Sequence, residues 1–420
     1  MRCNLKDPHG NMDKIQLIFF FISGFLISRL MIKVRLPHRI VFWFIGKKHL
    51  SLAKILVCLI ATSAFLSFFI PNAITVLTLL PLLELLRQSY ETANGPSKSV
   101  STMLALATIY GANIGGMGSI TATPANGILV TYAVLNQVPG VQYLTFASWL
   151  VWGIPLVIVF VSIAALILFI FMRPGKFNRH RIQLPFDSGR IYHRFQKVTV
   201  WLTAFYFLSS LTLSLLLMKF PHRWVLILIF SGALTLGLLF FLFLVPVRGS
   251  DHDHSKQKLL EIADCYSELP VKGFVFVAIA VVLAAILYAF DLQSLFSIWS
   301  ARIIPAGLPV FVLFFLMALT ASFSTEVLSN TAVQLSFFVV ALPLAKSLGF
   351  SALEALIIIT LSSTCAFMSP IATGVNGLAF GGVKGVSFVR MLLVGFVMNI
   401  AGALLIAGWV LFFIGRMYGI

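Results

Sequence analysis

The residues of this 420-residue sequence best equipped for chemistry are uncharged polar ones, gathered where long apolar runs are interrupted. Residues 51–88 run apolar to Phe69, break at Ile70-Pro71-Asn72-Ala73-Ile74-Thr75 and resume; residues 301–346 break at Thr325-Glu326-Val327-Leu328-Ser329-Asn330-Thr331. Residues 100–135 break at Gly115-Gly116-Met117-Gly118-Ser119 through Asn126, and residues 352–382 at Met368-Ser369-Pro370 through Asn376. A helix N-terminus at such a break offers a positive end to an anion. Unwound carbonyls, Asn oxygens and hydroxyls are the hard oxygen ligands a small cation prefers, so one site can hold both ions. The same residue types also cap and kink helices anywhere. One break alone is as readily a kink as a site; four in paired order favour a site.

The pairing is visible in the numbering. Asn72 matches Asn330 at an offset of 258, and Thr123-Pro124-Ala125-Asn126-Gly127 matches Thr373-Gly374-Val375-Asn376-Gly377 at an offset of 250. This order suggests a duplicated unit. Interrupted apolar segments at corresponding positions of two halves are the best sequence pointer to a transporter's binding site.

The elements that must position these breaks follow from composition. Apolar residues make up 60% of the chain and charged ones 10%, against roughly 45–50% and 25% in a soluble domain, so the bilayer is its solvent. Unbroken spans are expected near 15–32, 146–172, 198–218, 224–247, 270–290 and 388–415, each long enough for the roughly 20 residues a crossing needs. The first is read as an anchor and not a signal peptide, since no small-residue cleavage site precedes the basic Lys33 to Arg39 stretch. Irregular backbone at membrane depth is tolerated only where protein buries it or it lines a cavity. The expected fold is therefore an all-α polytopic membrane protein of inverted repeats, each with a re-entrant helical hairpin and a broken transmembrane helix. Repeat 1 covers 1–172 with its hairpin at 51–88 and broken helix at 100–135. A basic loop follows at 173–197, and repeat 2 covers 198–420 with its hairpin at 301–346 and broken helix at 352–382.

Charge fixes the orientation. The excess of 30 Lys and Arg over 13 Asp and Glu lies in short loops, at Lys33 to Lys48 and Arg173 to Lys197. That is the positive-inside pattern and not a nucleic-acid footprint, so no nucleic-acid partner is expected. Four cysteines lack a disulfide framework, and no histidine lies inside a long apolar run, so a buried proton relay is poorly supplied. Asp251-His252-Asp253-His254 reads as a solvated loop more readily than a metal cluster. Lys256 to Tyr266 reads as an amphipathic interfacial helix.

The broken segments resemble those of the divalent anion:sodium symporter family of the ion transporter superfamily. Ser324-Thr325-Glu326-Val327-Leu328-Ser329-Asn330-Thr331-Ala332 is similar to its second Ser-Asn-Thr signature, and Phe367-Met368-Ser369-Pro370-Ile371-Ala372-Thr373-Gly374-Val375-Asn376 to the stretch that follows. Ile114-Gly115-Gly116-Met117-Gly118-Ser119 through Asn126 is similar to its Gly-Gly-x-Gly-Thr stretch. The resemblance implies a substrate oxyanion held by Asn72, Asn330 and Thr331, joined by Thr123 and Thr373. It implies two sodium sites, one from Ser67, Asn72 and Ala122, the other from Thr325, Asn330 and Ala372. It further implies no cofactor beyond sodium as coupling ion, an elevator-like cycle in the plasma membrane (the inner membrane of a Gram-negative source), and a possible homodimer. Three departures stand out: Pro71-Asn72-Ala73 replaces Ser-Asn-Thr, the paired prolines are missing at Gly374-Val375, and about three N-terminal spans of the family have no counterpart.

The expected function is sodium-coupled symport of a small oxyanion such as a dicarboxylate or sulfate. The alternative is a sodium-independent exchanger or permease of the same superfamily, favoured by the hydroxyls lost at Pro71 and Ala73. An intramembrane enzyme would need an acid/base pair or activated nucleophile at membrane depth, and none is evident. Glu326 either tunes a cation site or hydrogen-bonds inside its own hairpin. The second reading is preferred, because an unpaired buried carboxylate would repel an anion.

Overall fold

The computed structural model of the protein describes residues 8–45, 51–177, 194–248, 256–266 and 308–419. Helix α1 (Pro8–Lys33) turns at Arg35 into α2 (Leu36–Ile45). A hairpin of α3 (Leu52–Ser67) and α4 (Asn72–Asn94) follows, then a helix broken into α5 (Lys98–Gly115) and α6 (Pro124–Leu135), then the long α7 (Phe146–Met172). Helices α8 (Arg194–Lys219) and α9 (Trp224–Leu244) lead to a hairpin of α11 (Val310–Ser324) and α12 (Asn330–Leu348). After it come a helix broken into α13 (Ala352–Ser363) and α14 (Gly374–Gly382), and the long α15 (Phe388–Trp409), which runs through a π-turn at Val410–Ile414 into a last turn at Gly415–Tyr418. The second half thus repeats the order of hairpin, broken helix and long helix found in the first. Six described helices are long and apolar enough to cross a bilayer, and the protein is an all-α polytopic membrane protein.

Local chemistry explains where these helices start. Ser51, Ser97, Ser329, Ser351 and Ser387 each accept a hydrogen bond from the backbone amide three residues on, and Thr145 forms a reciprocal capping box with Ser148. The first arm of each hairpin is short: 16 residues in α3 and 15 in α11 span about 22–24 Å, less than the roughly 30 Å hydrocarbon core. Their tips therefore stop inside the membrane-embedded body, as a re-entrant hairpin requires. The outer face of α7 carries exposed Val151, Ile158, Leu166 and Ile170, while Trp149, Trp152 and Phe160 on its inner face are fully buried.

One expectation is overturned between the halves. Lys256 to Tyr266 is not a single amphipathic helix. Lys256–Lys258 pairs antiparallel with Pro246–Arg248, Leu260 donates its amide to the Leu242 carbonyl, and only Ile262–Tyr266 (α10) is helical. The ribbon uses backbone bonds that a helix would have kept to itself, and Asp264 instead pairs with Lys33 of α1 at 2.6 Å. The expected 270–290 span, the start of the second hairpin before residue 308 and the Asp251 to His254 run lie outside the described residues.

The first hairpin is seated by glycine. A Cβ on Gly111 would strike Ser63 Oγ and the Ile60 carbonyl, and one on Gly115 would strike the Ala64 backbone, so α3 and α5 touch backbone to backbone. Such small-residue spacing is how membrane helices gain close packing without a hydrophobic drive. The halves also interlock. Asn113 of α5 donates to the Ala366 carbonyl at 2.8 Å, Gln334 of α12 donates to the Ala125 carbonyl at 2.8 Å, and Leu80 of α4 lies against Gly382 of α14.

Candidate functional site

Each broken helix is held open by an asparagine. Asn126 donates its amide to the carbonyls of Gly116 and Ser119 at 3.1 and 2.8 Å, and Asn376 donates to Ala366 and Ser369 at 3.1 and 2.7 Å. The acceptors lie ten and seven residues before the asparagine in both halves. Both residues are buried, so this clasp satisfies carbonyls that the interrupted helix cannot. Neither residue was among the expected ligands, although the shared Thr-x-x-Asn-Gly carried the signal.

The hairpin tips lie beside these breaks. At the first, Ser67 donates to Thr75 at 3.0 Å, both fully buried. Asn72 begins α4 next to Gly116, where an added Cβ would meet the Asn72 amide at 2.9 Å and the Thr123 methyl at 2.5 Å. The Asn72 Oδ1 and Thr123 Oγ1 oxygens are buried without a hydrogen-bond partner. Leaving such atoms unpaired costs about 1–3 kcal/mol each. Asn72 and Thr123 thus come together at Gly116, with Ala122 preceding Thr123 in the chain, while Ser67 pairs with Thr75, three residues after Asn72.

At the second tip the oxygens already engage one another. The Thr325 hydroxyl contacts Asn330 Oδ1 at 2.6 Å and the Ser363 carbonyl at 2.9 Å. One hydroxyl has one hydrogen, so three oxygens converge where a single proton serves two of them. Thr373 caps α14, its oxygen accepting the Asn376 amide and its hydroxyl contacting Asn376 Oδ1. Thr331 is half-buried in the first turn of α12, and Ala372 is buried in the break.

The Glu326 side chain does not bond inside its own hairpin, contrary to the preferred expectation. Its carboxylate reaches across to the second break and accepts the amides of Phe367, Met368 and Ser369 at 2.8, 2.9 and 2.6 Å, and the Asn399 side-chain amide of α15 at 2.8 Å. The repulsion argument applies to an unpaired carboxylate, and this one accepts four hydrogen bonds.

The arrangement is a set of membrane-depth oxygen atoms and helix ends in two interlocked copies. Among the described residues no group of three or more His, Cys, Asp or Glu is placed to hold a metal ion. Residues 12–247 match the model of a family described as citrate transporter. The chain is 24% identical to the sodium-dependent dicarboxylate transporter SdcS of Staphylococcus saprophyticus, over 96% of this chain and 78% of that protein. It is equally identical to SdcS of Staphylococcus aureus, over 96% of this chain and 76% of that protein. Among solved structures, the YdaH transporter of Alcanivorax borkumensis shares the fold at 13% identity, with a TM-score of 0.53 over 94% of this chain and 85% of that one.

Proposed function

The chain belongs to the citrate transporter family and is a membrane transporter, not an enzyme, and we propose that it couples sodium to uptake of a small oxyanion such as a dicarboxylate or sulfate. The observation that carries this reading is the pair of buried, unpartnered oxygens, Asn72 Oδ1 and Thr123 Oγ1, on two residues that both pack against Gly116. A cation at this point would accept both. A side-chain amide presents an acceptor and a donor at once, so a sodium ion on Asn72 Oδ1 would turn Nδ2 toward the anion. Cation binding would thereby prepare the anion site, and the two ions would bind each other's complexes more tightly than the bare protein.

In this reading Ser67, Asn72 and Ala122 with Thr75 hold one sodium, and Thr325, Asn330 and Ala372 with the Ser363 carbonyl hold the other. Asn72, Thr123, Asn330, Thr331 and Thr373 hold the substrate. The names of the SdcS relatives support both the sodium and the dicarboxylate. The interlocked hairpins and broken helices would move as one transport body against the remaining helices in an elevator-type cycle, with a homodimer as the natural scaffold. The test is uptake of labelled succinate, citrate and sulfate into proteoliposomes with a sodium gradient or with choline in its place. Sodium-stimulated uptake of at least one is expected, and sodium-independent uptake of all three would refute the coupling.

The second reading, a sodium-independent exchanger, draws on the tip sequence Pro71-Asn72-Ala73. Thr75 weakens it, because its hydroxyl sits against Ser67 where the tip has lost its own. Counterflow with sodium omitted separates the two.

A further inference from the structure

The two breaks differ in how they end, and the difference isolates one residue. The offsets that superimpose the halves pair Phe68 with Glu326, Gly118 with Met368 and, from the starts of α7 and α15, Val157 with Asn399. In the first half the three positions form an apolar contact: a Cβ on Gly118 would meet the Phe68 ring at 2.8 Å and the Val157 methyl at 3.2 Å. In the second half the same three positions form the hydrogen-bonded set of Glu326, the Met368 amide and Asn399. Gly153 and Gly395 complete the match, each packing its bare Cα face on the backbone of its break.

The backbone explains why a carboxylate is needed on one side only. Helix α5 runs to Gly115, and the next amides, of Met117 and Gly118, bond back to Ile114 and Gly115. Helix α13 stops at Ser363, two positions earlier in register, and the amides of Thr364, Cys365 and Ala366 use up the backward bonds to Leu361, Ser362 and Thr364. Three successive amides, of Phe367, Met368 and Ser369, then point at one spot, as in an anion-binding nest. Four donors meet the Glu326 carboxylate, those of Phe367, Met368 and Asn399 on Oε1 and that of Ser369 on Oε2. Asn399 must turn its NH2 to this anion, which leaves its own Oδ1 buried and unpartnered.

We propose that Glu326 is a built-in anion and a positioning residue: it fills the amide nest of the second break, denies that nest to the transported anion, and fastens the second hairpin tip to the break. The first half has no such fastener and keeps its free oxygens at Asn72 and Thr123. The proposal rests on the transport reading only where uptake is measured.

The test uses the full chain purified in detergent as wild type, Glu326→Ala and Glu326→Gln, melted in sodium formate or in sodium gluconate at equal concentration. Formate is small enough to take the vacated nest, and gluconate is not. In gluconate, Glu326→Ala should melt several degrees below wild type; formate should restore most of that loss and leave wild type unmoved. Glu326→Gln, which aims an NH2 at the amide donors and blocks the nest, should melt low in both salts. A Glu326→Ala protein insensitive to formate, an equal formate effect on wild type, or a Glu326→Gln protein melting with wild type would each overturn the proposal. Should Glu326→Ala not survive purification in gluconate, it is purified in formate and exchanged. Aggregation only after exchange is then expected, and aggregation in both salts would overturn it. In proteoliposomes, formate should also restore oxyanion uptake to Glu326→Ala and not to Glu326→Gln. Formate-restored melting beside a wild type that transports no oxyanion would refute the transport reading and leave the nest standing.

Discussion

The two hairpin tips solve the same problem with opposite chemistry. The first is packed mainly by contact, glycine against backbone along α3 and α5 and Phe68 against Gly118; Ser63 and Ser67 are hydrogen-bonded, but Asn72 Oδ1 and Thr123 Oγ1 are left over. The second is packed by hydrogen bonds, with Ser322 donating to the Cys365 carbonyl, Thr325 between Asn330 and Ser363, and Glu326 on three amides. Burying polar groups in hydrocarbon is costly unless they are paired, so the second tip spends its polar atoms on holding itself together. The first relies on dispersion and close approach, which leaves Asn72 and Thr123 uncommitted. An uncommitted buried oxygen is what a ligand site needs, so under the proposed reading the first half holds the more open half-site.

The largest effect should come from spoiling the contact-packed half. In Gly115→Val the new side chain collides with the Ala64 backbone, which cannot yield without displacing α3. We expect no monodisperse protein on size-exclusion chromatography. At the matching position of the second half a side chain already stands, Cys365, and Cys365→Ser should remain monodisperse. Recovery of well-folded Gly115→Val would break the contrast.

Next in size is the clasp the halves share. Asn126→Ala and Asn376→Ala each remove two hydrogen bonds to the carbonyls of their break, a cost of about 1–3 kcal/mol. Both should lower the melting temperature by similar amounts and abolish oxyanion uptake. A large effect in one half only would show that the two breaks are not structurally equivalent.

A smaller effect on stability, but a sharper one on function, distinguishes the tip asparagines. Asn72→Ala removes an oxygen with no protein partner, so it should leave melting nearly unchanged while eliminating sodium-dependent uptake. Asn330→Ala takes away a contact of Thr325 and should lower both. If Asn72→Ala melts as low as Asn330→Ala, the first half-site is not the open one.

Much of this was legible in the sequence, because polar residues inside an apolar run have few physical reasons to be there. The four breaks, the hairpin order and the matching offsets all follow from that one signal. The second layer was not legible. The partners of Glu326 lie 41 to 73 residues away, so no local spacing announces them. Phe68 and Glu326 occupy matching positions yet share no chemistry, and an alignment of residue types passes over them. Lys256–Lys258 failed differently: backbone pairing with Pro246–Arg248 overrode a pattern that read as helical.

Thr75 offers the finest test of the comparison, since under the proposed reading its hydroxyl stands in for those the first tip lacks. At the same offset the second half has Val333, fully buried, where Thr75 has a hydroxyl that accepts from Ser67 at 3.0 Å. Thr75→Val is nearly isosteric, so it imposes the second half's chemistry without opening a cavity. The cost is the Ser67 hydrogen bond, about 1 kcal/mol. Melting should fall by no more than a few degrees. If Thr75 serves the cation, sodium should then activate uptake at a higher concentration, with the maximal rate little changed, whereas a purely structural role would leave the sodium dependence where it was. Ser67→Ala should act in the same direction, and the double substitution should add little to either single one, because the two hydroxyls form one interacting pair.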